Sequence, residues 1–218
     1  VIRFESVSFA YGRNPAVEVL KDVSFALEPG EMGVVRGGTG SGKTTLMRLA
    51  AGLLTPKTGK VTAAGRRLNL LRGKERTGLR GVAIAYLPQQ PGLVPYMTAL
   101  ENVLLAAMAT KTSAPEARAM QLLTELGAGH RAGHLPAALS AGERQCCAVA
   151  RALLARPRLI LADEPTASLD PECGQAVLRL LSEAAQGGAA VLIAARAELA
   201  TLRIDRAYAL RDGRLREA

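Results

Sequence analysis

The chain has 218 residues, long enough to bury a substantial core as one domain or as a core with a subdomain. With 49% hydrophobic and 22% charged residues it is neither disordered nor collagen-like. A formal charge of +9 raises a nucleic acid or an anionic membrane as a partner. Residues 2–11 and 17–27 are short β-type runs separated by a turn-rich GRNP, and they predict a small antiparallel layer. MGVVR (32–36) reads as a strand that enters a glycine cluster, and the run from Thr44 to Leu53 has helical spacing that stops near Gly52.

The middle of the chain shows three helix starts in which Ser or Thr is followed three residues later by Glu. Thr98 and Glu101 open LENVLLAAM. Ser113 and Glu116, with Pro115 in the first turn, open a helix closed by Gly127, and Ser140 and Glu143 open a third that ends before Arg156-Pro157. These predict a helical insert over residues 89–156 in a single domain of 1–218, whose core is 1–88 and 157–218. RLILADEP and AAVLIA read as buried parallel strands, with a helix between them capped by Asp170 and stopped by Gly187-Gly188. The end folds as a hairpin at Asp212-Gly213. The expected class is α/β, with a mainly parallel sheet.

Three cysteines, Cys146, Cys147 and Cys173, are too few for a disulfide framework, and the adjacent pair would strain a ring, so they read as free thiols. The longest uncharged stretch, 81–100, holds Pro88, Pro91 and Pro95 and fails as a membrane span. No signal peptide is expected from the residues that open the chain, and the first residue is Val, which leaves the true N-terminus open.

Gly37, Gly38, Thr39, Gly40, Ser41, Gly42, Lys43 and Thr44, followed by Thr45, fit a phosphate-binding loop between a strand and a helix. Glycines let backbone N–H groups face phosphate oxygens, the helix N-terminus adds positive potential, Lys43 neutralises the terminal phosphates and the Thr44 hydroxyl reaches Mg²⁺. An apolar strand then ends in Asp163 and Glu164. Many buried strands end in an acid, but beside a phosphate loop Asp163 would hold Mg²⁺ and Glu164 would orient and deprotonate an attacking water. Nucleoside monophosphate kinases share such a loop, so the loop alone leaves the reaction open.

Leu139-Ser140-Ala141-Gly142-Glu143-Arg144-Gln145 resembles the signature of the ATP-binding cassette family, and the resemblance covers nearly the whole chain. It implies a phosphate-loop NTPase core in which Tyr11 stacks on adenine and Gln89 touches Mg²⁺ and the attacking water. It implies also that Ala167 to Asp170 contact a second subunit. In that family Ser140, Gly142 and Glu143 face the nucleotide held by a partner cassette, so ATP and Mg²⁺ are sandwiched in a head-to-tail homodimer or heterodimer. Without the family, Ser140 and Glu143 are equally compatible with a plain helix cap.

The pattern breaks at one place. Most members carry a histidine after the last core strand, where it contacts the γ-phosphate; here Arg196 stands there. The only histidines, His130 and His134, read as exposed loop residues. Arginine donates hydrogen bonds but cannot accept one from water or pass a proton, so slowed hydrolysis is expected at a catalytic set of Glu164, Gln89 and Arg196. Cys146 replaces the usual arginine after Gln145, a packing change, and Ala141 replaces a common glycine.

LVPYMTALENV and RDGRL resemble the small bacterial cassettes of the lipoprotein-releasing, macrolide-exporting and cell-division group. That implies an ATPase acting with a membrane-spanning permease at the cytoplasmic face of the inner membrane. An alternative is an ATP-gated assembly subunit with little hydrolysis of its own, which Arg196 favours. A DNA-repair or chromosome-organising ATPase would suit the charge but needs a long coiled coil. Aromatic residues at 3% build few stacking platforms, and 22 Arg against 6 Lys reads as compositional bias, so no nucleic acid is expected.

Overall fold

The computed structural model describes residues 1–12, 17–110, 114–196 and 202–218. Strands β1 (Ile2–Tyr11) and β2 (Val17–Leu27) pair antiparallel and alternate, burying Ile2, Phe4, Val7 and Phe9 from one and Leu20, Val23, Phe25 and Leu27 from the other. Strand β3 (Met32–Arg36) leads through the glycine cluster into helix α1 (Lys43–Ala50), which ends just ahead of Gly52.

Residues 58–82, to which the sequence reading assigns no element, form β4 (Thr58–Ala63), β5 (Arg66–Arg67), a 3₁₀ turn at Leu68–Leu70 and helix α2 (Gly73–Val82). β4 buries only Val61 and Ala63, and α2 buries no residue, so neither carries the apolar stripe that reveals an element. β4 and β5 extend the first layer to the order β2-β1-β4-β5, all antiparallel.

Strand β6 (Ile84–Leu87) precedes the prolines, and the loop after it opens helix α3 (Ala99–Leu104). The expected reciprocal cap is present: Thr98 Oγ1 accepts from the Glu101 N–H at 3.2 Å, and the Thr98 N–H donates to Glu101 Oε2 at 2.7 Å. The helix is shorter than the sequence suggests, tightening after Leu104 into a 3₁₀ turn at Leu105–Met108, a frequent ending for a helix. Helix α4 (Pro115–Glu125) starts after Ala114, which makes no side-chain cap; Ser113, the expected cap, lies outside the described residues.

Helix α5 (Ala141–Leu154) is capped by Ser140, and strand β7 (Leu159–Asp163) follows. Helix α6 (Pro171–Gln186) is capped by Asp170, whose carboxylate accepts from the Cys173 N–H at 2.9 Å. Strands β8 (Ala190–Ala195), β9 (Arg206–Arg211) and β10 (Arg214–Glu217) complete a six-stranded sheet in the order β10-β9-β3-β8-β7-β6. Its pairings are parallel except the terminal hairpin, which turns through Asp212 and Gly213. The doubly covered β7 and β8 are buried throughout.

One apolar cluster joins this sheet to α3–α6, and the other joins it to α1 and the antiparallel layer. Among the described residues no helix is long and apolar enough to cross a membrane. In the sheet β8 lies between β3 and β7, so the phosphate loop, the Asp163-Glu164 pair and Arg196 all emerge at neighbouring carboxyl ends of parallel strands. Open α/β sheets place their ligands at that edge.

Candidate functional site

The glycine cluster is shaped by what surrounds it. A Cβ on Gly37 would lie 2.5 Å from Ser41 Oγ and 2.6 Å from the Leu210 carbonyl oxygen, so only glycine fits there. Gly42, at φ 105°, turns the backbone into α1 in a conformation that side chains rarely adopt. At Gly38 and Gly40, by contrast, an added Cβ would meet nothing within 4 Å, which leaves the concave side of the loop open to a ligand. Lys43, 6% exposed, folds its ammonium back over the loop and donates to the Gly37 carbonyl at 2.6 Å and the Gly38 carbonyl at 2.9 Å.

Behind the lysine, the Thr44 hydroxyl stands close to the carboxylate of Asp163. Asp163 is 1% exposed, and its Oδ2 is buried with no hydrogen-bond partner. Burial pushes the Asp163 carboxyl above the usual carboxylate range, and the nearby Thr44 hydroxyl opposes that shift. An orphaned carboxylate oxygen beside a hydroxyl is an unfinished coordination shell. Thr44 and Asp163 therefore fit a small hard cation with oxygen ligands, the preference of Mg²⁺.

Glu164, next along the chain, adopts a positive φ of 51°, unusual for a side-chain-bearing residue and of the kind that collects at functional sites. Its N–H donates to the Ala194 carbonyl at 3.0 Å, which fixes it against the end of β8. The side chain then meets three groups. Arg196 Nε donates to Oε1 at 2.9 Å, Gln89 Nε2 donates to Oε2 at 3.2 Å, and the Lys43 ammonium stands 3.9 Å from Oε1. The carboxylate raises the Arg196 guanidinium above its ordinary pKa.

Tyr11, 40% exposed, stands at the rim with its hydroxyl 3.3 Å from Thr45 Oγ1 and its ring edge-on to Phe9 at 4.8 Å. Sequence reading missed Arg48, whose guanidinium is raised above its ordinary pKa by the hydroxyls of Tyr86 and Tyr11 beside it. A basic residue one turn beyond the phosphate loop was the available signal, but nothing in the pattern marks its partners.

Ser140, Gly142 and Glu143 lie elsewhere. Ser140 Oγ accepts from the Glu143 N–H at 3.1 Å, the Ser140 N–H donates to Glu143 Oε2 at 2.7 Å, and Arg131 Nε donates to Glu143 Oε1 at 2.9 Å. These bonds, the Ser140 backbone first, hold the Glu143 carboxyl below its usual range. The start of α5 packs on the segment after Glu164: a Cβ on Gly142 would touch Leu169 at 3.4 Å, and Gln145 Nε2 donates to the Pro165 carbonyl at 3.3 Å. Among the described residues, no hydrogen bond or ion pair joins Ser140, Gly142 or Glu143 to residues 37–45. The three cysteines are free; Cys146, largely buried, is pushed up to about 12, which makes it an inert packing group. His130, exposed as expected, stands 3.6 Å from Glu143.

One cluster thus gathers phosphate-loop amides and a lysine, an orphaned carboxylate beside a hydroxyl, and a second carboxylate held by an amide and a guanidinium. That is the equipment of a nucleoside triphosphatase. Residues 20–167 match the ABC transporter family, and the chain belongs to it as a cassette ATPase that binds ATP. Two curated relatives carry the name lipoprotein-releasing system ATP-binding protein LolD. The one from Pseudomonas syringae pv. tomato is 39% identical across all of this chain and 98% of its own length. The one from Xanthomonas campestris pv. campestris is 40% identical across all of this chain and 92% of its own. Among solved structures, the cassette MJ0796, described as dimeric in a post-hydrolysis state with ADP and Pi, superposes with a TM-score of 0.92 at 31% identity, covering 100% of this chain and 98% of that one. An ATP-binding subunit of an ABC transporter superposes at 0.87 with 32% identity, covering 100% of this chain and 89% of that one.

Proposed function

We propose that this chain is the ATPase subunit of a lipoprotein-releasing type of transport system, binding and hydrolysing MgATP in a head-to-tail dimer docked on a membrane-spanning permease at the inner membrane's cytoplasmic face. The separation of Ser140 from the chain's own phosphate loop carries the dimer. A capped helix N-terminus with anion-binding polarity faces no phosphate of its own chain, so it serves a nucleotide bound to a second cassette, identical or related.

In this reading Gly37–Thr45 wrap the phosphates, Lys43 exchanges its loop carbonyls for phosphate oxygens and Tyr11 covers the adenine. Thr44, Asp163 and Gln89 hold Mg²⁺, which when bound neutralises charge on the terminal phosphates. Glu164 accepts the proton of the attacking water, and Gln89 orients that water. Glu164 is free to do so only when Arg196 releases Oε1, so turnover is slowed at that contact. The permease helix fits a groove of about 230 Å³ lined by Val82, Tyr86, Leu105, Ala109, Ala148 and Arg151, three residues from Gln89 along the chain at Tyr86. The domain division is a core of 1–88 and 157–218 with a helical arm of 89–156, through which nucleotide closure reaches that groove.

Glu164→Gln tests the reading. It keeps ATP binding, lowers hydrolysis by a factor on the order of 10² to 10⁴, and leaves the ATP-bound chain as a dimer in gel filtration. A variant that hydrolyses as the parent does, or stays monomeric with MgATP, overturns it. The Arg196–Glu164 pair also favours a second reading, an ATP-gated assembly subunit. Single-turnover hydrolysis separates the two, because a gate retains ATP through many minutes of incubation.

A further inference from the structure

The charge of this chain is not spread evenly. Residues 53–82 hold eight Lys and Arg against the single acid Glu75, a net +7 of the chain's +9, so the other 188 residues together carry only +2. Within this stretch Arg66, Arg67, Arg72 and Lys74 are exposed. The two elements that carry them are in contact. Arg66 on β5 pairs with Glu75 on α2 at 3.7 Å, Arg76 donates to Thr55 Oγ1 at 2.7 Å, and Arg80 reaches the Ala51 and Gly52 carbonyls at 3.4 Å.

Arg76 and Arg80 thus fasten α2 to the segment after α1, and Gly73, Lys74 and Gly78 stand exposed on it. α2 buries none of its ten residues; an added Cβ on Gly73 or Gly78 would meet nothing within 4 Å, whereas one on Gly81 would lie 3.2 Å from Ala109 on the side that faces the protein. A short glycine-containing helix whose one apolar contact with the core is Leu79 gains little from packing, and an uncovered cationic face invites an anionic one. Apolar tips stand in the same segment: Leu70 is 71% exposed and Val82 55%.

We propose that this face, Arg66, Arg67, Arg72 and Lys74 with Leu70 and Val82, binds the surface of an anionic phospholipid bilayer. Clustered Lys and Arg pair with lipid phosphates, and exposed aliphatic tips enter the headgroup boundary. Residues 53–82 contain no aromatic side chain, so the face lacks the stacking groups of a single-strand nucleic-acid site. Val82 and Arg80 also line the groove assigned to the permease helix, so the lipid face borders that docking surface. The proposal rests on the transport reading only for this orientation.

Vesicle co-sedimentation of the full chain tests it without a permease, so its failure leaves the ATPase reading to stand or fall on hydrolysis alone. The chain is expected to bind vesicles of phosphatidylcholine mixed with phosphatidylglycerol, to ignore phosphatidylcholine alone, and to release at high salt. Each cation removed costs roughly fivefold, so the triple variant Arg67→Ser, Arg72→Ser, Lys74→Ser loses about a hundredfold in partition. Leu70→Ser weakens vesicle binding severalfold and leaves binding to soluble polyglutamate unchanged. ATP binding by each variant checks its fold, and the salt dependence of the unaltered chain tests the idea even where a variant misfolds. Equal binding to neutral vesicles, a triple variant that binds like the parent, or displacement by polyglutamate with no effect of Leu70→Ser overturns the proposal, the last pointing to an acidic protein instead.

Discussion

Arg196 Nε sits 2.9 Å from Glu164 Oε1 while Gln89 Nε2 holds Oε2 from 3.2 Å, so both oxygens of the proposed base are engaged by donors. A charge-assisted pair of this geometry is stronger than a neutral hydrogen bond. The guanidinium is 57% exposed, so solvent screens it and it can swing away. A contact of that kind gates a base without removing it.

Replacing Arg196 with histidine is therefore expected to raise kcat for ATP by roughly tenfold or more, since imidazole can both accept from and donate to the water and leaves Glu164 less occupied. The KM for ATP should change less than kcat, because Lys43 and the loop amides bind the phosphates. Steady-state hydrolysis by the two proteins decides the matter. An equal or lower rate in Arg196→His removes the argument for slowed turnover.

Much of this site was legible in the sequence, because backbone geometry itself demands the residues. Gly37 and Gly42 stand where a side chain clashes or φ is positive, and Ser140 and Glu143 bond to each other across one helical turn. Strand β7 reads as buried because both its faces are covered. What stayed hidden depends on contacts between distant segments. The Arg196–Glu164 pair joins the ends of two strands, Arg48 lies beside both Tyr11 and Tyr86, and α2 has no buried stripe to announce it. The cation-rich stretch stayed hidden in the total charge, since net charge says nothing about where on a surface it falls.

Asp163 gives a prediction with a definite sign. Burial raises its pKa in the folded protein above the unfolded value, so the metal-free fold binds the proton more tightly than the unfolded chain does. Stability then falls as pH rises from the ordinary aspartate range through the raised value. Asp163→Asn removes that dependence and is expected to melt at the same or a higher temperature than the parent in chelator above that window. The same variant loses the rise in Tm that MgATP gives the parent. Melting curves across pH, with chelator and with MgATP, check both; a variant that still gains Tm from Mg²⁺ as the parent does contradicts the placement of the metal.

The two faces of the phosphate loop should respond oppositely to one added methyl group. Gly37→Ala forces a Cβ to within 2.6 Å of the Leu210 carbonyl and is expected to cost about 1–3 kcal/mol in chemical denaturation. Gly38→Ala meets nothing within 4 Å, so stability stays near that of the parent while ATP affinity falls, because the methyl group intrudes where phosphate approaches. Equal stability of the two variants would contradict the packing described.

Ser140 separates a structural role from a functional one. As the cap of α5 it accepts from the Glu143 N–H at 3.1 Å, and Ser140→Ala is expected to lower stability by about 1 kcal/mol. Glu143, held below its usual pKa chiefly by the Ser140 N–H, contributes stability above the ordinary glutamate range that is lost as pH falls through its lowered value. The alanine variant keeps that backbone bond, so its pH dependence should survive. Ser140→Gly restores much of the cap propensity without restoring the hydroxyl. Both variants should bind ATP as monomers with parental affinity, since Ser140 makes no hydrogen bond to the chain's own phosphate loop. Both should lose MgATP-dependent dimerisation, read by light scattering in the Glu164→Gln background. If Ser140→Gly dimerises normally while Ser140→Ala does not, the residue is a helix cap and the phosphate is held by other groups.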